Sequence, residues 1–170
     1  MDTRIAIAIL AAIGFAAPAV ADDLNLPARK PGLWVIQMSR ATGAPMMTTK
    51  LCLDAASDKA LMAKGMAMGG SNCQNTSINR SGATITTDGV CKMGPMTIKS
   101  HTILSGDFQS SYTVDSVSDT TGGSPMMPKH SETKQIATWS GDCGDLKPGD
   151  MQMPNGMKMN ILTGVPKLGG

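Results

Sequence analysis

Sulfur is the chemically distinctive element of this 170-residue chain, which carries four cysteines and fifteen methionines but only two Trp, one Tyr and two Phe. Cysteines can serve as redox pairs, metal thiolates or structural bridges, and spacing separates these uses. Cys52, Cys73, Cys91 and Cys143 include no Cys-x-x-Cys, and the nearest two, Cys73 and Cys91, are 18 positions apart. That spacing points to two disulfides. Methionine thioethers are soft ligands suited to Cu(I) or Ag(I). Pro45-Met46-Met47 recurs as Pro125-Met126-Met127, and Met-x-Met occurs at Met66 and Met68, Met151 and Met153, and Met157 and Met159. A soft-metal site built on Met46, Met47, Met126 and Met127, supplemented by His101 and His130, is therefore the alternative functional reading. Against it, methionine is a flexible filler of apolar volume, and these clusters sit beside Gly and Pro, outside the segments that would hold ligands rigid.

Other chemistries find little support. His101 shares the polar parity of its strand and His130 falls in a loop, and neither has a nearby nucleophile arrangement. No Gly-x-Ser-x-Gly occurs, and paired catalytic carboxylates are lacking because the acidic residues are mostly turn aspartates. Catalysis and a resident cofactor are not expected. A net charge of +2 with scattered Lys and Arg leaves no electrostatic footprint for nucleic acid or an anionic membrane.

The leader has the form of a secretory signal: Arg4, an apolar run from Ile5 to Ala17, then Pro18 and Ala19-Val20-Ala21 before Asp22. The run is too short for a membrane span, which needs about 20 residues. Cleavage after Ala21 and a periplasmic location are expected, the compartment in which disulfides persist. Residues 22–143 then read as one β-rich domain and 144–170, with Pro148, Pro154, Pro166 and repeated glycines, as an irregular tail.

These residues must be positioned by strands. Abundant Thr, Ser and Gly with almost no Glu favour strands and turns. Leu33–Met38 and Met47–Leu53 are strands flanking a Gly43, Pro45 turn. Asp54 caps a short helix through Ala55, Leu61 and Met62 that Gly65 ends. Cys73–Arg80 and Ala83–Cys91 form a hairpin; a three-residue loop at Ser81 to Ala83 sets Cys73 opposite Cys91, within disulfide reach. Three pairings are possible on paper, and this geometry favours Cys73 with Cys91 and, by elimination, Cys52 with Cys143. Met96, Ile98 and Leu104 share one strand parity. Phe108, Tyr112 and Val114 share another, and Glu132–Ser140, after the polar segment Ser118 to Lys129, completes about seven strands. The expected fold is mainly β: an antiparallel up-and-down meander curled into a small barrel or half-barrel, with one short helix and two disulfides. Small barrels commonly hold one ligand. The leading functional reading is thus a non-enzymatic periplasmic protein that binds a small apolar ligand or an envelope protein, or serves envelope maintenance. Trp34, Phe108 and Tyr112 are the candidate pocket wall.

Taken together, the Arg29-Lys30-Pro31-Gly32-Leu33-Trp34 entry, the Leu51-Cys52-Leu53-Asp54 stretch, the Cys73 to Cys91 hairpin and the closing Ser140-Gly141-Asp142-Cys143 resemble a proteobacterial family of exported proteins, domain of unknown function 3617. The resemblance covers Arg29 to Cys143. It implies an exported β-rich domain and carries over no catalytic or binding residue; residues past Cys143 and the Ser118 to Lys129 segment inherit nothing from it.

Overall fold

The computed structural model describes residues 27–69 and 72–167, so the leader and its expected cleavage after Ala21 lie outside the described residues. Ten strands form one antiparallel sheet: β1 (Gly32–Arg40), β2 (Pro45–Leu53), β3 (Cys73–Ser81), β4 (Thr84–Met93), β5 (Met96–Gly106), β6 (Ser111–Thr121), β7 (His130–Trp139), β8 (Asp150–Gln152), β9 (Lys158–Asn160) and β10 (Val165–Lys167). One helix, α1 (Ala55–Gly69), connects β2 to β3. The spatial order is β10-β9-β8-β2-β1-β7-β6-β5-β4-β3. The first seven strands follow the circular order of an up-and-down barrel opened between β2 and β3, because β7 returns to pair with β1. The mainly β, one-helix, two-disulfide class is the one observed, in an open form.

The opening explains the C-terminal segment. β2 is left with an unpaired edge, and an exposed edge is a template for further strands. β8 takes it, with Lys50 opposite Gln152 and Leu51 opposite Met151. Residues expected as an irregular tail therefore extend the sheet through β8, β9 and β10. Pro148 and Pro154 with their neighbouring glycines mark tight turns, and Pro166 sits in the edge strand β10 opposite Met159: Gly149 N–H donates to the Cys52 carbonyl at 2.9 Å, and the buried Asp150 accepts from Lys147 N–H and from Asn160 Nδ2, each at 3.0 Å.

The helix also runs further than the sequence leads one to expect. Asp54 and Ser57 form a reciprocal cap, with Ser57 N–H donating to Asp54 Oδ1 at 2.7 Å and Asp54 N–H donating to Ser57 Oγ at 2.8 Å. Gly65 does not stop it. One interior glycine costs about 1 kcal/mol, which the strong formers Ala63, Lys64, Met66, Ala67 and Met68 outweigh.

Register places Trp34, Ile36, Leu51, Leu53, Ile85, Leu104, Tyr112, Val114 and Ala137 on one face. Trp34, Leu51, Leu53 and Ala137 form the buried cluster there, with Leu61 of α1, Ile36, Tyr112, Trp139, Met151 and Ile161 packed against it. The opposite face carries cross-strand charge pairs, among them Lys134 with Asp115 at 3.3 Å and His101 with Asp88 at 2.6 Å. Core burial is concentrated at the end where β1 begins and β7 finishes.

Both disulfides join the favoured partners, Cys52 with Cys143 and Cys73 with Cys91. The hairpin reaches its pairing differently from the expectation. Its turn has two residues, Gly82 and Ala83, since Ser81 pairs with Thr84, and a bulge between Asn75 and Ser77 shifts the register so that Cys73 again faces Cys91.

Candidate functional site

Two clusters at opposite ends of the sheet hold the residues that the sequence singles out. At the first, Trp34, Phe108 and Tyr112 come together as expected, with Trp34 and Tyr112 ring centroids 5.3 Å apart and Phe108 stacked on Tyr112 at 5.1 Å. They fill space rather than line it. Trp34 is 0 % and Phe108 3 % exposed, so no water-sized void borders Trp34 and almost none borders Phe108. Phe108 lies outside β6, in the corner before it, and holds φ 57, an uncommon value for a residue with a Cβ. The corner is fixed by Asp107, which accepts the Ser110 hydroxyl at 2.6 Å and the backbone N–H groups of Ser110, Ser111 and Gln109 at 2.7, 3.0 and 2.9 Å. The Ser110 hydroxyl above all, then those amides, hold the Asp107 carboxyl well below the usual carboxylate range.

A buried ion pair closes this end. Arg29 Nη2 and Nε both meet Asp58 Oδ1 at 2.6 Å, the Arg29 N–H donates to Asp58 Oδ2 at 2.9 Å, and Arg29 Nη1 donates to the Tyr112 hydroxyl at 3.0 Å. Sequence reasoning missed this pair; an aspartate in the first turn of α1 was its visible sign. The entry residues around it are structural. Trp34 Nε1 donates to Lys30 O and Trp139 Nε1 to Pro31 O, each at 2.9 Å, while Lys30 Nζ lies 3.5 Å from the Trp139 ring centroid. Gly32 has φ 129, and a Cβ there would come within 2.4 Å of Gly141 O and 2.6 Å of Trp139 Nε1, so only glycine fits. Leu33 and Ser140 exchange main-chain bonds with Gly141 and Leu33 that carry the chain to Cys143. Thus the Pro-Gly-Leu-Trp entry, Cys52 and the Gly-Asp-Cys close sew one end of the sheet shut.

The opposite end is open and rich in methionine. The β1–β2 turn, the β4–β5 turn and the β6–β7 loop all lie there. Met46, Met93, Met126 and Met127 are 51, 45, 94 and 43 % exposed. A groove of about 410 Å³ runs between the β1–β2 turn and the loop entering β7, lined by Arg40, Ala41, Met46, Pro128, His130 and Glu132 among others, and most of its exposed lining is apolar. Its assembly from segments far apart in the chain hid it from the sequence. The four methionines expected as metal ligands share this end but not one setting. Met46 lines the groove, Met47 sits opposite Met38 on the core-side face, Met126 projects into solvent, and Met127 approaches Gly123.

The histidines that were to supplement them lie on the charged face. His130, the first residue of β7 rather than part of a loop, has both ring nitrogens engaged, Nδ1 with Asp119 at 2.7 Å and Nε2 with Glu132 at 3.1 Å. Asp119 first, then Glu132, raise its pKa above the ordinary histidine value. His101 Nδ1 meets Asp88 at 2.6 Å. Among the described residues no group of three or more His, Cys, Asp and Glu gathers as a metal site, and no helix is long and apolar enough to cross a membrane. The side chains of Met66 and Met68 lie outside the described ones.

A family model described as "Protein of unknown function (DUF3617)" matches residues 29–143. That span opens on the Arg29 ion pair and closes on the Cys143 disulfide, so it coincides with the sewn end and everything strung between its two halves. No curated protein and no solved structure matches the chain.

Proposed function

We propose that this chain, which belongs to the DUF3617 family of unknown function, is an exported, non-enzymatic protein of the periplasm that holds a small apolar or amphipathic molecule in the groove bordered by Met46 and Pro128. Export is supported by the leader pattern and by two disulfides that leave no free cysteine among the described residues. The observation that carries the binding reading is the groove itself. Its volume of about 410 Å³ falls within the range of small-molecule sites. Methionine, with three rotatable bonds and a polarizable sulfur, suits a surface that must adapt to an apolar guest. Arg40 stands at its border for the polar end of such a molecule. The binding wall thereby moves from Trp34, Phe108 and Tyr112, which are consumed by the core, to Met46 and Pro128.

The test is a fluorescence titration with N-phenyl-1-naphthylamine, an apolar probe that brightens on leaving water. The intact protein is expected to bind it saturably. Met46→Asp places a carboxylate that must be desolvated against the probe, and is expected to weaken binding by roughly tenfold or more. An equally avid Met46→Asp variant, or no saturable binding by the intact protein, would overturn the reading.

A further inference from the structure

The corner where the β4–β5 turn meets the β6–β7 loop sets the sulfurs of Met96 and Met127 around Gly123, with Met93 paired opposite Met96. Met93 and Met96 flank the two-residue turn as directly opposed partners on the same face, and opposed Cβ atoms in such a pair lie about 5 Å apart. The loop after β6 lies on this turn, and two glycines make that approach possible. At Gly122, φ 75, a Cβ would fall 2.1 Å from Pro95 O. At Gly123, φ 77, a Cβ would sit 3.4 Å from Met96 Sδ and 3.7 Å from Met127 Sδ, so both sulfurs border the same small space. Met93 and Met127 are nearly half exposed, which leaves the corner open to solvent.

Competing ligands for a soft ion are scarce. All four cysteines are in disulfides, and disulfide sulfur offers no thiolate. Both nitrogens of His130 are occupied by carboxylates, and one of His101 is. Three neutral thioethers with no carboxylate among them favour a soft monovalent d¹⁰ ion over zinc, calcium or magnesium. We propose that Met93, Met96 and Met127 form a site for Cu(I) or Ag(I). It differs from the set Met46, Met47, Met126 and Met127 suggested by the repeated Pro-Met-Met, sharing only Met127. It is also separate from the apolar groove, so either can fail without the other.

Silver is the probe, because it has the charge and softness of Cu(I) without its redox chemistry. Ag(I) is titrated into the mature, disulfide-bonded protein in chloride-free buffer and stoichiometry is read by native mass spectrometry. The expected result is one tight silver ion. Replacing even an outer-shell partner of a metal costs about 10–100-fold in affinity, so removing a ligand through Met96→Leu is expected to cost at least that, and the triple Met93→Leu, Met96→Leu, Met127→Leu variant to lose the tight ion. Leucine conserves volume at these positions, and circular dichroism verifies the fold. Met46→Leu and Met126→Leu serve as controls expected to keep wild-type silver affinity while N-phenyl-1-naphthylamine binding is followed in parallel. A wild-type protein that takes up no tight silver, a triple variant that binds it undiminished, or loss through Met46→Leu or Met126→Leu instead would overturn the proposal.

Discussion

At the end of the sheet where β1 begins, sulfur is locked away: Cys52 is 0 % exposed and bonded to Cys143, beside a fully buried Trp34 and an Arg29–Asp58 pair. At the other end, beside the half-buried Cys73–Cys91 bridge, thioether sulfur is on display, with Met126 94 % exposed and Met46, Met93 and Met127 close to half exposed. The same strands run through both, so the difference is made by what the turns and flanking segments supply. One end receives the helix, an entry strap and a long-range disulfide; the other receives three Gly/Pro-containing connections that bury little and only the short-range Cys73–Cys91 bridge. Stability should therefore reside at one end and binding at the other, and substitutions can be sorted by which they disturb.

The largest effect expected is on the long-range disulfide. Its cysteines are 91 residues apart, against 18 for Cys73 and Cys91. Chain-entropy arguments assign about 4–5 kcal/mol to the first loop and about 3 kcal/mol to the second. Denaturant unfolding of the Cys52→Ala, Cys143→Ala and Cys73→Ala, Cys91→Ala pairs should show that ranking, and the reverse order would place the anchor at the wrong end. Next is the ion pair. Asp58→Ala leaves the Arg29 guanidinium buried without its partner and is expected to cost about 3–4 kcal/mol, much of it recovered when Arg29→Met is added.

Methionine-rim substitutions invert this pattern. Met46→Leu, Met93→Leu and Met127→Leu should each change stability by less than about 0.5 kcal/mol, while the silver titration of the Met93 and Met127 variants changes. Smallest is the pH response of His130. Its raised pKa means that the ties to Asp119 and Glu132 are fully present below the unfolded-state value and fade as pH rises through the higher folded-state value. An NMR titration should place its midpoint above about 6.5, and Asp119→Asn should lower it.

The legible part of the fold was the part written in local pattern. Alternation from Met96 to Leu104 and from Tyr112 to Val114 marks strands because one face is buried, and the register bears this out at Leu104 opposite Val114. The family resemblance over Arg29 to Cys143 is matched by the family model over 29–143. What escaped depends on distant partners. Pro148 and Gly149 look like disorder until the free edge of β2 is known to need a strand. Gly65 looks like a helix stop because its neighbours' propensities act as a sum. Trp34, Phe108 and Tyr112, named as a pocket wall, lie together but pack into or against the core, since aromatic residues in a chain with so few are needed for the core before they can serve a pocket. The groove and the thioether corner join segments from different turns, and no local signal in Ala41 or Met93 announces either.

The division of labour between the two ends is tested most directly by the ¹³C-methyl methionine spectrum of the protein recorded with and without N-phenyl-1-naphthylamine. Met46 reports on the groove, and Met151, packed against the buried cluster, reports on the sewn end. The Met46 methyl is expected to shift while Met151 stays in place; a shift at Met151 with Met46 unmoved would contradict this division.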